Sequence, residues 1–119
     1  MKKFYAQGDM VLEMVGKIEK GGVEPSKVIE TDPDGSVVIG RGEVTGHRHR
    51  FALEDAVVMF RDDSLAKDVP NELYVGHVKI TKPATLLHEE HGPIDVPPGM
   101  YRVRRQREWT AEHIRIVAD

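Results

Sequence analysis

Hydrophobic and polar residues alternate along the chain in short runs, which clusters of Gly, Pro and Asp separate. Runs rich in Val, Ile, Tyr and Thr with such boundaries are typical of β-strands. No stretch keeps a helical period over three turns, so single helical turns are predicted only at 63–67 and 110–113. We therefore expect an all-β fold with little helix and with strands at 10–15, 27–31, 36–40, 46–53, 56–61, 73–80, 85–88, 100–109 and 114–117.

Asp32-Pro33-Asp34-Gly35 is a strong turn signal, because Pro is preset for the first corner and Gly supplies a positive φ. This turn is predicted to close a hairpin between the strands at 27–31 and 36–40. Short strands about ten residues apart are typical of a sandwich or a barrel. At 119 residues the chain is expected to form one compact domain of this kind.

Composition and charge narrow the function classes only a little. The net charge of -3 gives no overall attraction to nucleic acid or to an anionic membrane. The chain has no cysteine, so a metal ion would have to be held by nitrogen and oxygen. The N-terminus lacks the apolar run of a signal peptide and no segment approaches transmembrane length, which predicts a cytoplasmic location.

Four of the six histidines form two close pairs, and the first pair is His47 and His49. Residues two apart in a strand point to the same face, with Cα atoms roughly 6.5 Å apart. That spacing suits two ligands at about 2.1 Å from one ion. Arg48 and Arg50 would then face away. The sequence therefore predicts a site for a divalent metal ion at this strand.

The second pair, His88 and His91, is three residues apart, so a straight strand would send the two rings to opposite faces. Both can reach one ion only if the chain bends, and Gly92-Pro93 favours such a bend. We expect one of the two to be a firm ligand and the other to be a fourth ligand or a supporting group. His77 and His113 are interpreted as ordinary structural residues.

Carboxylates flank both histidine pairs, and any of them could be a ligand, a general base or a partner that orients an imidazole. The nearby members are Glu43, Glu54, Glu89 and Glu90. Glu54 and Glu90 are the two predicted to act in catalysis.

The first histidine segment resembles the first motif of the cupins, small jelly-roll β-barrels that hold one metal ion inside the barrel. In that motif His-x-His is followed by Glu, and His47, His49 and Glu54 match it. The resemblance implies a cupin-like barrel with these residues at its metal, and by analogy a homodimer.

The second cupin motif is matched only in part. Its Pro-x-Gly turn is present at 97–99, but Tyr101 and Arg102 follow where the family has its last histidine ligand. In this chain the third ligand would therefore come from His88 or His91, upstream of the turn.

A group of small prokaryotic and phage-type proteins of unassigned function is a closer resemblance and spans most of the chain. Its members share an early Gln-Gly-Asp, a Gly-Glu-Val-Thr-Gly-His-x-His segment, a His-Glu-Glu-His-x-Pro-Ile segment and an arginine-rich end. The matching residues here are Gln7-Gly8-Asp9, 42–49, 88–94, 97–103 and 105–109. This resemblance implies no particular activity.

Two functions from different classes fit these observations. The first is a metal-dependent enzyme that acts on a small molecule. The enzyme would use a zinc, iron, manganese or nickel ion as Lewis acid or oxygen activator. The second is a non-catalytic module in which a metal only stabilises the fold and the Arg102–Arg107 strand contacts nucleic acid or a protein partner. The interpretation we favour for those arginines is pairing with acidic residues of the same chain.

Overall fold

The computed structural model describes residues 4–16, 22–42, 46–52, 55–109 and 114–116. The described residues form strands and two single-turn 3₁₀ helices, Pro25–Lys27 and Asp63–Leu65. The strands are β1 (Phe4–Gln7), β2 (Met10–Gly16), β3 (Val37–Arg41), β4 (Arg48–Phe51), β5 (Val57–Phe60), β6 (Tyr74–Ile80), β7 (Ala84–Leu87), β8 (Ile94–Val96), β9 (Gly99–Arg105), β10 (Arg107–Trp109) and β11 (Ile114–Ile116). The fold is all-β, as the pattern predicts.

Two antiparallel sheets make up the body of the molecule. One sheet has five strands in the order β1-β2-β9-β6-β5, and the other has four in the order β3-β4-β7-β8. β10 and β11 pair with each other as a separate hairpin. The two sheets face each other across a shared core, because alternate residues of each strand point inward. The core residues come from both sheets: Met10, Leu12, Val37, Ile39, Phe51, Val57, Met59, Val78, Ile80, Ala84, Leu86, Val96, Tyr101 and Val103.

Most predicted strands are present with ends shifted by at most two residues, but the predicted strand at 100–109 is divided between β9 and β10, and the strand at 27–31 is wrong. Pro25 starts a 3₁₀ turn there, and only a single bridge from Val28 to Phe60 follows. The turn after it is confirmed, since Gly35 has a φ of 84° and its N–H donates to the carbonyl of Asp32 at 2.8 Å. The predicted hairpin is therefore wrong, although its turn exists and leads into β3.

Two short strands, β1 and β8, are absent from the prediction, because each lies at the edge of a sheet and has only three or four residues. The predicted helical turn at 63–67 is present as Asp63–Leu65. The one predicted at 110–113 lies outside the described residues. Among the residues described, no helix is long and apolar enough to cross a membrane.

Candidate metal centre

Pairing of β4 with β7 brings the two histidine segments side by side. The register sets Arg50 opposite Leu87 and Phe51 opposite Leu86. Extending that antiparallel register by one residue places His49 opposite His88. Segments about forty residues apart in sequence therefore meet where these two strands end.

The four imidazole rings form one cluster. The ring centre of His88 lies 5.4 Å from that of His47, 4.3 Å from that of His49 and 4.6 Å from that of His91. The centres of His49 and His91 are 6.0 Å apart. Two imidazoles that bind one ion at about 2.1 Å have ring centres roughly 5 Å apart. These four separations are close to those of imidazoles on one ion; the role of the rings as ligands stays a prediction.

The chain bends at 88–91, as the second pair requires. Nδ1 of His88 accepts hydrogen bonds from the backbone N–H groups of Glu90 at 3.0 Å and His91 at 3.1 Å. A neutral ring that accepts at Nδ1 carries its proton on Nε2. In this conformation His88 therefore supports the bend, and it could bind an ion only after its ring turns. His91 is the better placed ligand of the pair.

Glu89 ties this bend to the first histidine segment. Its carboxylate accepts the backbone N–H of Arg48 at 2.9 Å, and that hydrogen bond holds the pKa of Glu89 below its ordinary value. The guanidinium of Arg48 points the other way, to Asp32 at 2.9 Å and Asp34 at 3.2 Å. Arg48 thus faces away from the histidines, as the strand alternation predicts.

Gln7 contacts the histidine cluster, which the sequence did not predict. Its side-chain amide is buried and donates to the carbonyl of Leu86 at 3.0 Å and to that of Gly92 at 3.0 Å. Its carbonyl oxygen lies 2.9 Å from Nδ1 of His49. One side chain of β1 therefore connects β4, β7 and the loop that follows His91.

Asp9 is the second residue that was missed as a site residue. It follows Gly8, whose φ of 58° makes the tight turn between β1 and β2. Its buried carboxylate pairs with Arg105 and lies 3.6 Å from Nε2 of His49. The Gln-Gly-Asp motif was visible in the sequence, but nothing in its spacing relates it to histidines forty residues away.

The cluster has a buried side and an accessible side. The side chain of His49 is 1% exposed, whereas that of His47 is 23% exposed. Glu90, which is 65% exposed, places Oε1 at 3.6 Å from Nδ1 of His47. Glu54, the other predicted catalytic carboxylate, lies outside the described residues, as does Glu43. A bound ion would therefore be reachable from the side of His47 and Glu90.

The histidine rings lie close together, but their orientations do not form a coordination shell for a metal ion. Within the described residues, no three His, Cys, Asp or Glu side chains already form a group that could hold a metal ion. The rings of His49 and His91 are stacked, with 15° between their planes, so their in-plane nitrogen lone pairs do not converge. Binding would require rotation of side chains, with no change of strand register.

His77 lies in β6, outside the histidine cluster, and its interpretation as an ordinary structural residue stays a prediction. It is buried on the outer face of the five-stranded sheet, stacks on Phe60 and shares a 2.7 Å hydrogen bond with the hydroxyl of Tyr74. Burial is the main cause that lowers the pKa of His77, and the positive charge of Arg102 adds to it.

This burial predicts an acid-sensitive fold. The unfolded chain takes up a proton at His77 near pH 6.5, above the lowered pKa of the folded state, so stability at this residue is lost as the pH falls from 7 through 6.5. Urea denaturation at pH 7 and pH 5 should show a smaller loss in His77→Gln than in the wild type. Equal losses in the two proteins would contradict this account.

The arginines of β9 pair with carboxylates of the same chain. Arg102 contacts Glu13 at 3.3 Å and Asp68 at 2.7 Å, and Arg104 also binds Glu13. These contacts match the interpretation that we favoured for this strand.

Together, the sandwich and the histidine cluster define a small all-β protein with a histidine-rich site at the end of two paired strands. The model of the family described as "Domain of unknown function (DUF8820)" matches residues 6–106, and the chain belongs to this family. The match includes both histidine pairs as well as Gln7 and Asp9. Neither a curated protein nor a solved structure matches the chain.

Proposed function

We propose that the cluster binds one divalent transition-metal ion and that the protein is a metal-dependent enzyme acting on a small molecule. His47, His49 and His91 are the proposed ring ligands, and His88 supports the bend that carries His91. One observation carries the proposal: two segments far apart in sequence bring four imidazoles within 4.3–6.0 Å of a neighbouring ring centre. Neutral imidazole is the commonest protein ligand for zinc, iron and nickel.

The accessible side of the cluster supports catalysis over a purely structural ion. An ion that keeps a coordination position open to solvent can bind substrate there, whereas a shell closed by its protein ligands is typical of structural sites. Glu90 stands at the open rim beside His47, where it would serve as the general base. The ion itself would supply Lewis acidity or activate oxygen.

The pairing of the β9 arginines supports this proposal over the nucleic-acid alternative. Arg102 and Arg104 are held by Glu13 inside the chain, and Arg105 is held by Asp9. A guanidinium that neutralises an internal carboxylate contributes less to binding a phosphate backbone.

Metal loading tests the proposal directly. Purified protein stripped with chelator should take up one zinc or cobalt ion per chain, measured by elemental analysis and titration calorimetry. The cobalt-loaded protein should change its visible spectrum when azide is added, because an accessible coordination position can take a small anion.

His77→Gln is the matched control, since it removes a buried imidazole that lies in the other sheet. This variant should bind the same amount of metal as the wild type. If the wild type took up no divalent metal, the proposed function would be wrong. If cobalt bound but azide did not change its visible spectrum, the cluster would still be a metal site, but its assignment as a catalytic site would be wrong.

A further inference from the structure

The hydrogen bonds of Gln7 set the protonation of His49. Both N–H bonds of the Gln7 amide are used, one on the carbonyl of Leu86 and one on that of Gly92. The amide oxygen must therefore face Nδ1 of His49, at 2.9 Å, and can only accept there. This network assigns the proton of the neutral His49 ring to Nδ1 and leaves the lone pair on Nε2.

The Nε2 atom of His49 lies beside the carboxylate of Asp9. Nε2 of His49 lies 3.6 Å from Oδ1 of Asp9, and the two side chains are 1% and 2% exposed. In the assigned tautomer both atoms are acceptors, so a bound cation between them would make their contact favourable. Two ligands at about 2.1 Å from a tetrahedral ion lie about 3.4 Å apart, close to the separation seen here.

Arg105 keeps this carboxylate in place. Its guanidinium binds the other oxygen of Asp9, Oδ2, and also donates to the carbonyl of Arg41 at 3.2 Å. The backbone carbonyl of Asp9 accepts the N–H of Gln106 at 2.9 Å. Oδ1 of Asp9 is thus presented toward His49 while the rest of the residue is anchored to the end of β9.

We infer that Asp9 is the anionic ligand of the metal centre and that Gln7 is the positioning residue that makes His49 bind through Nε2. This inference rests on the proposed function. It gives the site three neutral imidazoles and one carboxylate, a mixed nitrogen and oxygen set that suits zinc, iron, manganese and nickel over copper(I), with substrate taken at a fifth coordination position. Gln7 acts as the hydrogen-bond partner that metal-ligating histidines use at their second nitrogen.

Zinc titration of three variants of the full chain tests the inference. Asp9→Asn should weaken zinc binding more than tenfold, because it removes the negative charge but keeps the shape. Gln7→Met, which has similar length but no amide, should weaken binding by roughly 10–100-fold, the effect of losing such a partner. Glu13→Gln is the matched control: it removes a buried, arginine-paired carboxylate of β2 outside the histidine cluster and should leave the affinity within threefold.

Long-range ¹H–¹⁵N NMR of the wild type gives a readout that needs no variant to fold. His49 should carry its proton on Nδ1 with and without zinc, and zinc should shift its Nε2 resonance; His49→Ala assigns the signal. A His49 ring protonated on both nitrogens in the presence of zinc would overturn the inference, because a proton would then occupy the position assigned to the ion.

The outcomes separate this inference from the proposal beneath it. A wild type that binds no divalent metal defeats the proposed function and the inference together. A wild type that binds zinc while Asp9→Asn binds equally well overturns the assignment of Asp9 alone. If Asp9→Asn or Gln7→Met fails to fold, the NMR result in the wild type decides the protonation of His49, on which both assignments depend.

Discussion

Replacing His49 by alanine is expected to lower zinc affinity more than a hundredfold, which exceeds the roughly 10–100-fold loss typical of changes outside the coordination shell. The reason is geometric. His49 is the most deeply buried ring of the cluster, stacks against His91 and faces Asp9 through Nε2. Titration calorimetry with a competing chelator measures this loss.

Variants of His88 and His91 test which of the two binds the ion and which supports the bend. His91→Ala should weaken zinc binding as strongly as His49→Ala. His88→Asn should weaken zinc binding less, because an Asn side chain can accept a hydrogen bond from the N–H two residues further along and so keep the bend. If His88→Asn weakened binding more than His91→Ala, the assignments of His88 and His91 would be exchanged.

The sequence predicted how residues close together in the chain are arranged, but it did not predict the contacts between distant segments. The i, i+2 spacing of His47 and His49 implied a shared face and an outward Arg48, and the structure has both. Nothing local in Gln7 or Asp9 shows that β1 ends beside β4, since that proximity depends on the order of strands in two sheets. Metal binding itself stays a prediction.

The errors in the strand prediction have the same physical origin. Residues 27–31 have suitable β-branched composition, yet Pro25 begins a 3₁₀ turn and the segment makes only one bridge, from Val28 to Phe60. Strand propensity describes how a residue fits a half-buried sheet surface, so it cannot decide whether a neighbouring strand is available. β1 and β8 were not predicted because their own sequences are too short to indicate a strand. Each forms a strand because a neighbouring strand is available to pair with it.

Replacing Phe51 by alanine is expected to lower the free energy of unfolding by about 3–5 kcal/mol. Phe51 is fully buried between the two sheets and pairs with Leu86 across β4 and β7. A domain of this size has about 5–15 kcal/mol of stability in total, so this loss takes a large share of it. Urea denaturation measures it, and Val58→Ala, at a position 40% exposed on β5, is the matched control with an expected change within about 0.5 kcal/mol.

The same variant links the core to the site. The histidine segments are held together by the Gln7 amide and by the bond from Arg48 N–H to Glu89, neither of which uses the Phe51 ring. Folded Phe51→Ala should therefore still bind zinc, and zinc at a hundred times its dissociation constant should restore about 2.7 kcal/mol. If zinc stabilised the wild type but not this variant, the ligands would be aligned by core packing and not by the polar contacts. The positioning role of Gln7 would then be wrong.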